Sequence, residues 1–253
     1  MTLEVHQFPC LSDNYGFLLH DPDSEETTCI DTPDADAYMR EAAHKGWQIT
    51  QVWNTHWHPD HAGGNEAIKA ATGCHIVAPE ADAAKIAGID QTVVHGDRVS
   101  LGEWEALVID VGGHTMGHIA YHLAGCDLAF VGDSLFPLGC GRMFEGTAPQ
   151  FWDSLTRLKA LPPETMIHCA HEYTAANAKF ALHADPDNPA LQTYADDIAR
   201  LRKEGRPTVP AKLGREFDTN PFLRADNPDM QARWGGGDAV ATFAALRSAK
   251  DSF

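Results

Sequence analysis

The stretch Asn54–Gly64, NTHWHPDHAGG, places three histidines and one aspartate within the six positions His56–His61, with Pro59 among them. The preceding run, ITQVWNTH, alternates as a strand does, and the motif begins where that strand should end. In extended chain, side chains two apart point the same way, so His56 and His58 face one point while Trp57 turns elsewhere. Pro59 is expected to prevent a simple helical continuation, which separates the motif from the helical HExxH arrangement. Asp60 and His61 are then aimed differently by the bend. The spacing supplies two ligands to one ion and two to a neighbour. Leaving four such groups buried without partners would cost several kcal/mol each, so a metal is the economical reading.

Four ligands do not complete two sites. Three further candidates stand just past strand-like runs: His114 in VGGHTMGH, Asp133 in FVGDSL and His171 in CAHEYT. Gly112, Gly113 and Gly132 beside them allow unusual backbone angles. Together this makes five histidines and two aspartates, a nitrogen and oxygen set without thiolate. Such donors suit zinc, iron or manganese, two divalent ions per chain, and the spacing does not choose among these metals. The other nine of the fourteen histidines are read as ordinary core or surface residues, with His118 either supporting His114 or holding a turn.

Around the motif, short strands (LEVHQF, NYGFLLHD, TTCIDTP) lead into the helical stretch ADAYMREAAHKG, closed by Gly46. NEAIKAAT and ADAAKIAG read as helices flanking the strand CHIVAP. RVSLG, WEALVIDV, IAYHLA and DLAFVGD follow as strands. A helix over Pro149–Ala160 and a strand in MIHCAHEY complete a mixed α/β region. After Tyr173 strand signals fade. Asn188 and Pro189 read as N-cap and first residue of a helix, a glycine hinge stands at GGGD, and Asp238 caps a last helix. We expect an α/β domain over 1–172 and a small helical domain over 173–253.

The chain has 253 residues, 43% of them hydrophobic, enough for a substantial core. Its net charge of −17 opposes nucleic-acid binding, which depends on neutralising phosphates. No apolar run is long enough to span a bilayer, and the opening MTLEVHQFPC lacks the pattern of a secretory signal. Six scattered cysteines without CxxC pairing suit reduced thiols in a cytoplasm. Cys140 and Cys169 are read as small buried hydrophobes rather than nucleophiles.

His56, His58, Asp60 and His61 match the HxHxDH signature of the metallo-β-lactamase superfamily, which the chain resembles. More narrowly it is similar to glyoxalase II, the hydroxyacylglutathione hydrolases. That resemblance rests on LSDNYGFLL, THWHPDHAGGN, GGHTMGHI, GDSLFPLGCGRMFEGT, HEYTAANAKFA, PTVP and NPFLR. It implies an αββα sandwich followed by a helical domain. It also implies a division of ligands, with His56, His58 and His114 on one ion, Asp60, His61 and His171 on the other, and Asp133 bridging. The implied reaction is hydrolysis of S-D-lactoylglutathione to D-lactate and glutathione by a metal-bridging hydroxide, which Asp60 would help to orient. Two departures stand out: Trp57 replaces a common histidine, and Arg142, Met143 and Phe144 replace a Lys-x-Tyr segment. Phe144 therefore offers no hydroxyl to the substrate.

A substrate bearing carboxylates requires a local cationic patch against the global negative charge. At 100° per residue the last helix places Val240, Phe243, Leu246, Arg247 and Lys250 on one face. Two cations thus stand among positions that should turn inward. One explanation is favourable charge at a helix C-terminus with aliphatic stems lying over the core. The resemblance implies another: Arg247 and Lys250 grip a glycine carboxylate, aided by Arg142 and the Tyr173 hydroxyl. The resulting expectation is a monomeric cytoplasmic thioesterase, with no nucleic-acid or membrane partner. Its rivals are a mononuclear iron persulfide dioxygenase or a lactonase on the same scaffold, and a non-catalytic metal-binding protein.

Overall fold

The computed structural model describes residues 2–235 and 237–253. These described residues form two compact units, one up to Asp110 with Met116–Gly132, the other Val111–Thr115 with those from Asp133 onward.

The first unit opens with an antiparallel meander, β1 (Glu4–Cys10), β2 (Asn14–Asp21) and β3 (Glu26–Ile30). Helix α1 (Ala35–Lys45) then crosses over. The side chain of Asp34 caps its N-terminus by accepting from Ala37 N at 3.1 Å, and Gly46 ends it at φ 73°. Strand β4 (Gln51–Trp53) pairs parallel with β3, in the register Ile30↔Trp53. A short helical turn, α2 (Pro59–Ala62), and helix α3 (Asn65–Thr72) precede β5 (His75–Pro79) and β6 (Gln91–Val93), which continue the sheet in parallel. A second, antiparallel set follows: β7 (Arg98–Leu101), β8 (Trp104–Asp110), β9 (Ile119–Leu123) and β10 (Leu128–Gly132).

The strands are apolar enough to be covered on both faces, and β2, β5 and β9 are buried along almost their whole length. One core cluster joins Phe8, Leu18, Cys29, Tyr38, Val52, Ile68 and Ile76 under α1 and α3. Between the two sets of strands, Phe17 meets Phe130 edge-on at 5.5 Å and Trp53 meets Tyr121 at 5.4 Å. The Tyr38 hydroxyl, fully buried, donates to Ile30 O at 2.8 Å and accepts from Phe17 N at 3.0 Å. It thereby ties α1 to the end of β3.

In the second unit, β11 (Leu135–Phe136) and β12 (Gly139–Cys140) make a small hairpin before α4 (Ala148–Lys159). Strand β13 (Met166–Cys169) is followed by α5 (Thr174–Ala184) and α6 (Pro189–Lys203), whose N-cap Asn188 accepts from Ala190 N and Leu191 N. Strand β14 (Ala211–Lys212) pairs antiparallel with β13 and leads to α7 (Leu213–Thr219), α8 (Pro228–Trp234) and α9 (Ala239–Ser252). Leu138, Ala178, Ala181, Leu191, Tyr194 and Ile198 form the core of the α5–α6 pair, and Phe243 of α9 packs on Phe151 and Phe222.

Two expectations change. ADAAKIAG is a 3-10 stretch over Glu80–Lys85 rather than an α-helix, and the chain leaves it extended at Ile86, which buries itself beside Ala62 and Ala78. The region after Tyr173 is not purely helical, because β14 pairs with β13. Of the GGGD segment, Gly235 ends α8 at φ 85° and Gly236 lies outside the described residues.

Candidate metal centre

Parallel pairing of β3 with β4 sends both chains out of the same edge of the sheet, where α/β folds place their sites. Asp31 leaves β3, and the histidine motif leaves β4. The strand ends at Trp53, and His58, at φ −57° and ψ 145°, is the N-cap of α2, with Pro59 as first helical residue. This corrects the expectation that Pro59 blocks a helix: at the first helical position its missing N–H is no loss and its φ is already suitable. The turn is short. It aims Asp60 and His61 differently, and Gly63 N closes it on Pro59 O at 2.8 Å.

His56 and His61 are buried with their rings 4.0 Å apart, and His56 Nε2 lies 2.9 Å from His58 Nδ1. Asp31 organises this group. Its carboxylate lies 2.9 Å from His61 Nδ1 and accepts from Thr55 N at 2.7 Å and Thr55 Oγ1 at 2.8 Å. Thr55 Oγ1 in turn lies 3.0 Å from His56 Nδ1. Both imidazoles thus have Nδ1 engaged by a neighbour and Nε2 directed at the cluster, the arrangement that orients histidine ligands. Asn14 Nδ2 donates to Asp60 O at 3.2 Å and Oδ2 at 3.4 Å, and that same Oδ2 lies 3.6 Å from His61 Nε2. The ring of His118 stacks on His56 at 4.4 Å.

In the second unit, the two oxygens of Asp133 address different histidines: Oδ2 lies 3.4 Å from His114 Nε2 and Oδ1 lies 3.3 Å from His171 Nε2. His114 Nδ1 is held by Arg142 O at 2.8 Å. Gly141 lets this happen, because a Cβ there would stand 1.9 Å from Asp133 O. The Tyr173 ring stacks parallel on His171 at 4.8 Å, and Phe144 meets His114 at 5.2 Å.

Ligand atoms gather in three groups, each with all atoms within 4.8 Å of one another: His56, His58 and His114; His56, His61 and Asp133; Asp60, His61 and His171. The residues in these groups are His56, His58, Asp60, His61, His114, Asp133 and His171. Imidazole nitrogens with carboxylate oxygens, with His56, His61 and His114 braced through Nδ1, fit divalent transition metals, and these His/Asp clusters form a metal site.

The cationic residues belong to the second unit. Arg247 is buried, as its place on the inner face of α9 predicted. It donates through Nη1 to Cys140 O at 3.0 Å and Gly141 O at 3.3 Å, and through Nη2 to Asp251 Oδ1 at 2.9 Å. Lys250 donates to Ala176 O at 3.3 Å, and burial followed by the nearby Arg247 charge lowers its pKa. Arg142 is exposed, with Nε 3.7 Å from Asp251 Oδ1. Cys140 and Cys169 behave as core thiols: burial pushes the first up to about 11 and the second well above its ordinary value.

Residues 20–171 match the metallo-beta-lactamase superfamily, and residues 172–253 match the C-terminal region of hydroxyacylglutathione hydrolase. A hydroxyacylglutathione hydrolase of Erythrobacter litoralis is 64% identical, over 99% of this chain and 100% of the relative. The chain belongs to the hydroxyacylglutathione hydrolases. Another member of the family, from Hyphomonas neptunium, is 58% identical over 100% of this chain and 99% of its own. Among solved structures, ETHE1 from Myxococcus xanthus superposes with TM-score 0.67 at 25% identity, covering 100% of this chain and 99% of that one. TTHA1623, solved in a di-iron-bound form, gives 0.64 at 21% identity, covering 87% and 100%, and shares the fold. Family and structure agree on the αββα sandwich with a C-terminal helical region.

Asp31, Thr55 and Asn14 escaped sequence reasoning. A signal existed for Asp31: a carboxylate immediately after an apolar strand, at the strand's C-terminal end. No helix among the described residues is long and apolar enough to cross a membrane.

Proposed function

We propose that this chain hydrolyses S-D-lactoylglutathione, and related hydroxyacylglutathiones, to the hydroxy acid and glutathione. The observation that carries the reading is the set of His/Asp groups able to hold metal, in a chain whose relatives are hydroxyacylglutathione hydrolases over their full length.

In this reading His56, His58 and His114 would hold one ion and Asp60, His61 and His171 the other, with Asp133 shared between them. The facing of its two oxygens towards His114 and His171 supports that role. Two divalent ions there, zinc first and iron or manganese as alternatives, would polarise the thioester carbonyl and bring the pKa of bound water towards neutrality. Asp60, braced by Asn14, accepts a hydrogen bond from the attacking water and orients it. A thiolate leaves readily, so the site needs no strong general acid. Arg142, Tyr173, Arg247 and Lys250 receive the glutathione portion, with Arg247 and Lys250 on its glycine carboxylate. Phe144 presents an apolar edge where a tyrosine hydroxyl would contribute a hydrogen bond worth ~1 kcal/mol. Residues 1–172 form the catalytic domain and 173–253 the domain that selects the substrate, in a monomeric cytoplasmic enzyme.

The test is release of thiol from S-D-lactoylglutathione by purified protein, with metal analysis and an oxygen electrode. Thiol release without oxygen uptake, at two ions per chain, is expected. Oxygen uptake at one iron per chain would establish the persulfide dioxygenase reading, activity on lactones alone the lactonase, and absence of turnover with the metals bound a non-catalytic protein.

A further inference from the structure

Asp251 sits where helix physics does not favour it. It lies in the last turn of α9, next to the negative end of the helix dipole. Its pairing with Arg247, one turn earlier, has the cation N-terminal to the anion, the weaker orientation of an i,i+4 pair. Yet its Oδ1 lies 2.9 Å from Arg247 Nη2 and 3.7 Å from Arg142 Nε, so a single carboxylate oxygen addresses both guanidinium groups.

The two ends of this contact differ in freedom. The Arg247 side chain is 6% exposed, its Nη1 spent on the carbonyls of Cys140 and Gly141 and its plane 5.3 Å from the Phe222 ring. The Asp251 side chain is 41% exposed, on the last turn of α9. A buried guanidinium left without an anion is costly, so something negative should accompany Arg247 at all times. In the free protein that anion is Asp251.

We propose that Asp251 is a specificity-determining residue: it occupies the Arg247–Arg142 clamp as an internal carboxylate, and the substrate's glycine carboxylate binds by displacing it. This inference rests on the reading above that Arg247 receives that carboxylate. Exchange of one carboxylate for another keeps Arg247 neutralised in both states. It also makes the clamp selective, because only a ligand bringing its own negative charge replaces the ion pair it breaks, and two carboxylates sharing the clamp would repel.

The experiment compares wild type, Asp251→Asn and Arg247→Ala as metal-loaded full-length enzyme. Calorimetry measures Kd for glutathione and for glutathione esterified at its glycine carboxylate, and steady-state kinetics measure KM for S-D-lactoylglutathione. Asp251→Asn removes the competing charge and keeps the shape. Glutathione Kd and KM should both fall roughly two- to fivefold, the worth of a half-exposed ion pair, with no gain for the ester. Unchanged or weaker glutathione binding in Asp251→Asn, or an equal gain for the ester, overturns the displacement model while Arg247→Ala still raises KM. If Arg247→Ala leaves KM unchanged, the assignment of the carboxylate to Arg247 falls, and this inference with it.

Discussion

Asp31 Oδ2 lies 2.9 Å from Nδ1 of His61, and the same carboxylate takes both the backbone N–H and the hydroxyl of Thr55. One aspartate outside the ligand groups thereby orients the backbone and two imidazoles of the motif. Asp31 adopts φ 56°, a left-handed conformation that Asn shares with little strain.

Asp31→Asn should therefore fold but hold its histidines loosely. An amide cannot accept from Thr55 and His61 as a carboxylate does. Metal affinity should fall by roughly 10–100-fold, as for other partners of metal-binding histidines. Competition against a chelator measures it, and unaltered affinity would deny Asp31 this role.

Asp60→Asn separates ligation from orientation of water. Both metal occupancy and turnover should drop. Full occupancy with undiminished kcat would remove Asp60 from both roles, whereas full occupancy with a lowered kcat would leave only the second.

Gly141→Ala probes the close approach of two chain segments. The new Cβ would lie 1.9 Å from Asp133 O and 3.3 Å from His114 Nδ1, and the first contact is with rigid backbone. Relief requires Asp133 to shift. Stability should fall by about 1–3 kcal/mol, the usual cost of overpacking, and metal should be lost with it. Denaturant unfolding together with metal analysis tests both parts.

Arg247→Ala should raise KM far more than it lowers kcat, because a grip on the remote carboxylate is present in ground and transition states alike. A fall in kcat alone would show instead that Arg247 matters through the carbonyls of Cys140 and Gly141.

Glu216 carries a pH dependence of stability. Its Oε2 accepts from Leu138 N at 2.7 Å and Asn220 Nδ2 at 3.1 Å. Burial nevertheless pushes its carboxyl up to about 7, against those hydrogen bonds and Arg215. The folded pKa is above the unfolded one. This contribution is therefore full below the unfolded value near 4.5 and is lost as pH rises through about 7. Glu216→Gln removes the titration while retaining an acceptor for Leu138. Relative to wild type, the variant should gain stability between pH 5 and pH 8, by up to roughly 3 kcal/mol. Urea midpoints at the two pH values measure it, and a constant difference would deny the titration.

What could be read from the chain alone was local. The alternation of an extended segment put His56 and His58 on one point. Asn188 and Asp238 cap the helices that follow them, because capping involves only neighbouring backbone amides. The 3.6-residue period put Arg247 on the inner face of α9, and it is buried.

Contacts made across long separations were not legible. Asp31 reaches the motif because parallel strands bring Ile30 beside Trp53, a register no local pattern specifies. Asn220 donates to Phe136 O at 3.1 Å and Gly139 O at 3.0 Å, and so shapes the β11–β12 hairpin from far along the chain. Ile86 preferred burial beside Ala78 to continuing the helix its alanines favour. Side-chain chemistry and short-range geometry set which groups could bind metal. Strand register and core packing, which depend on the whole folded chain, decided which groups would brace them.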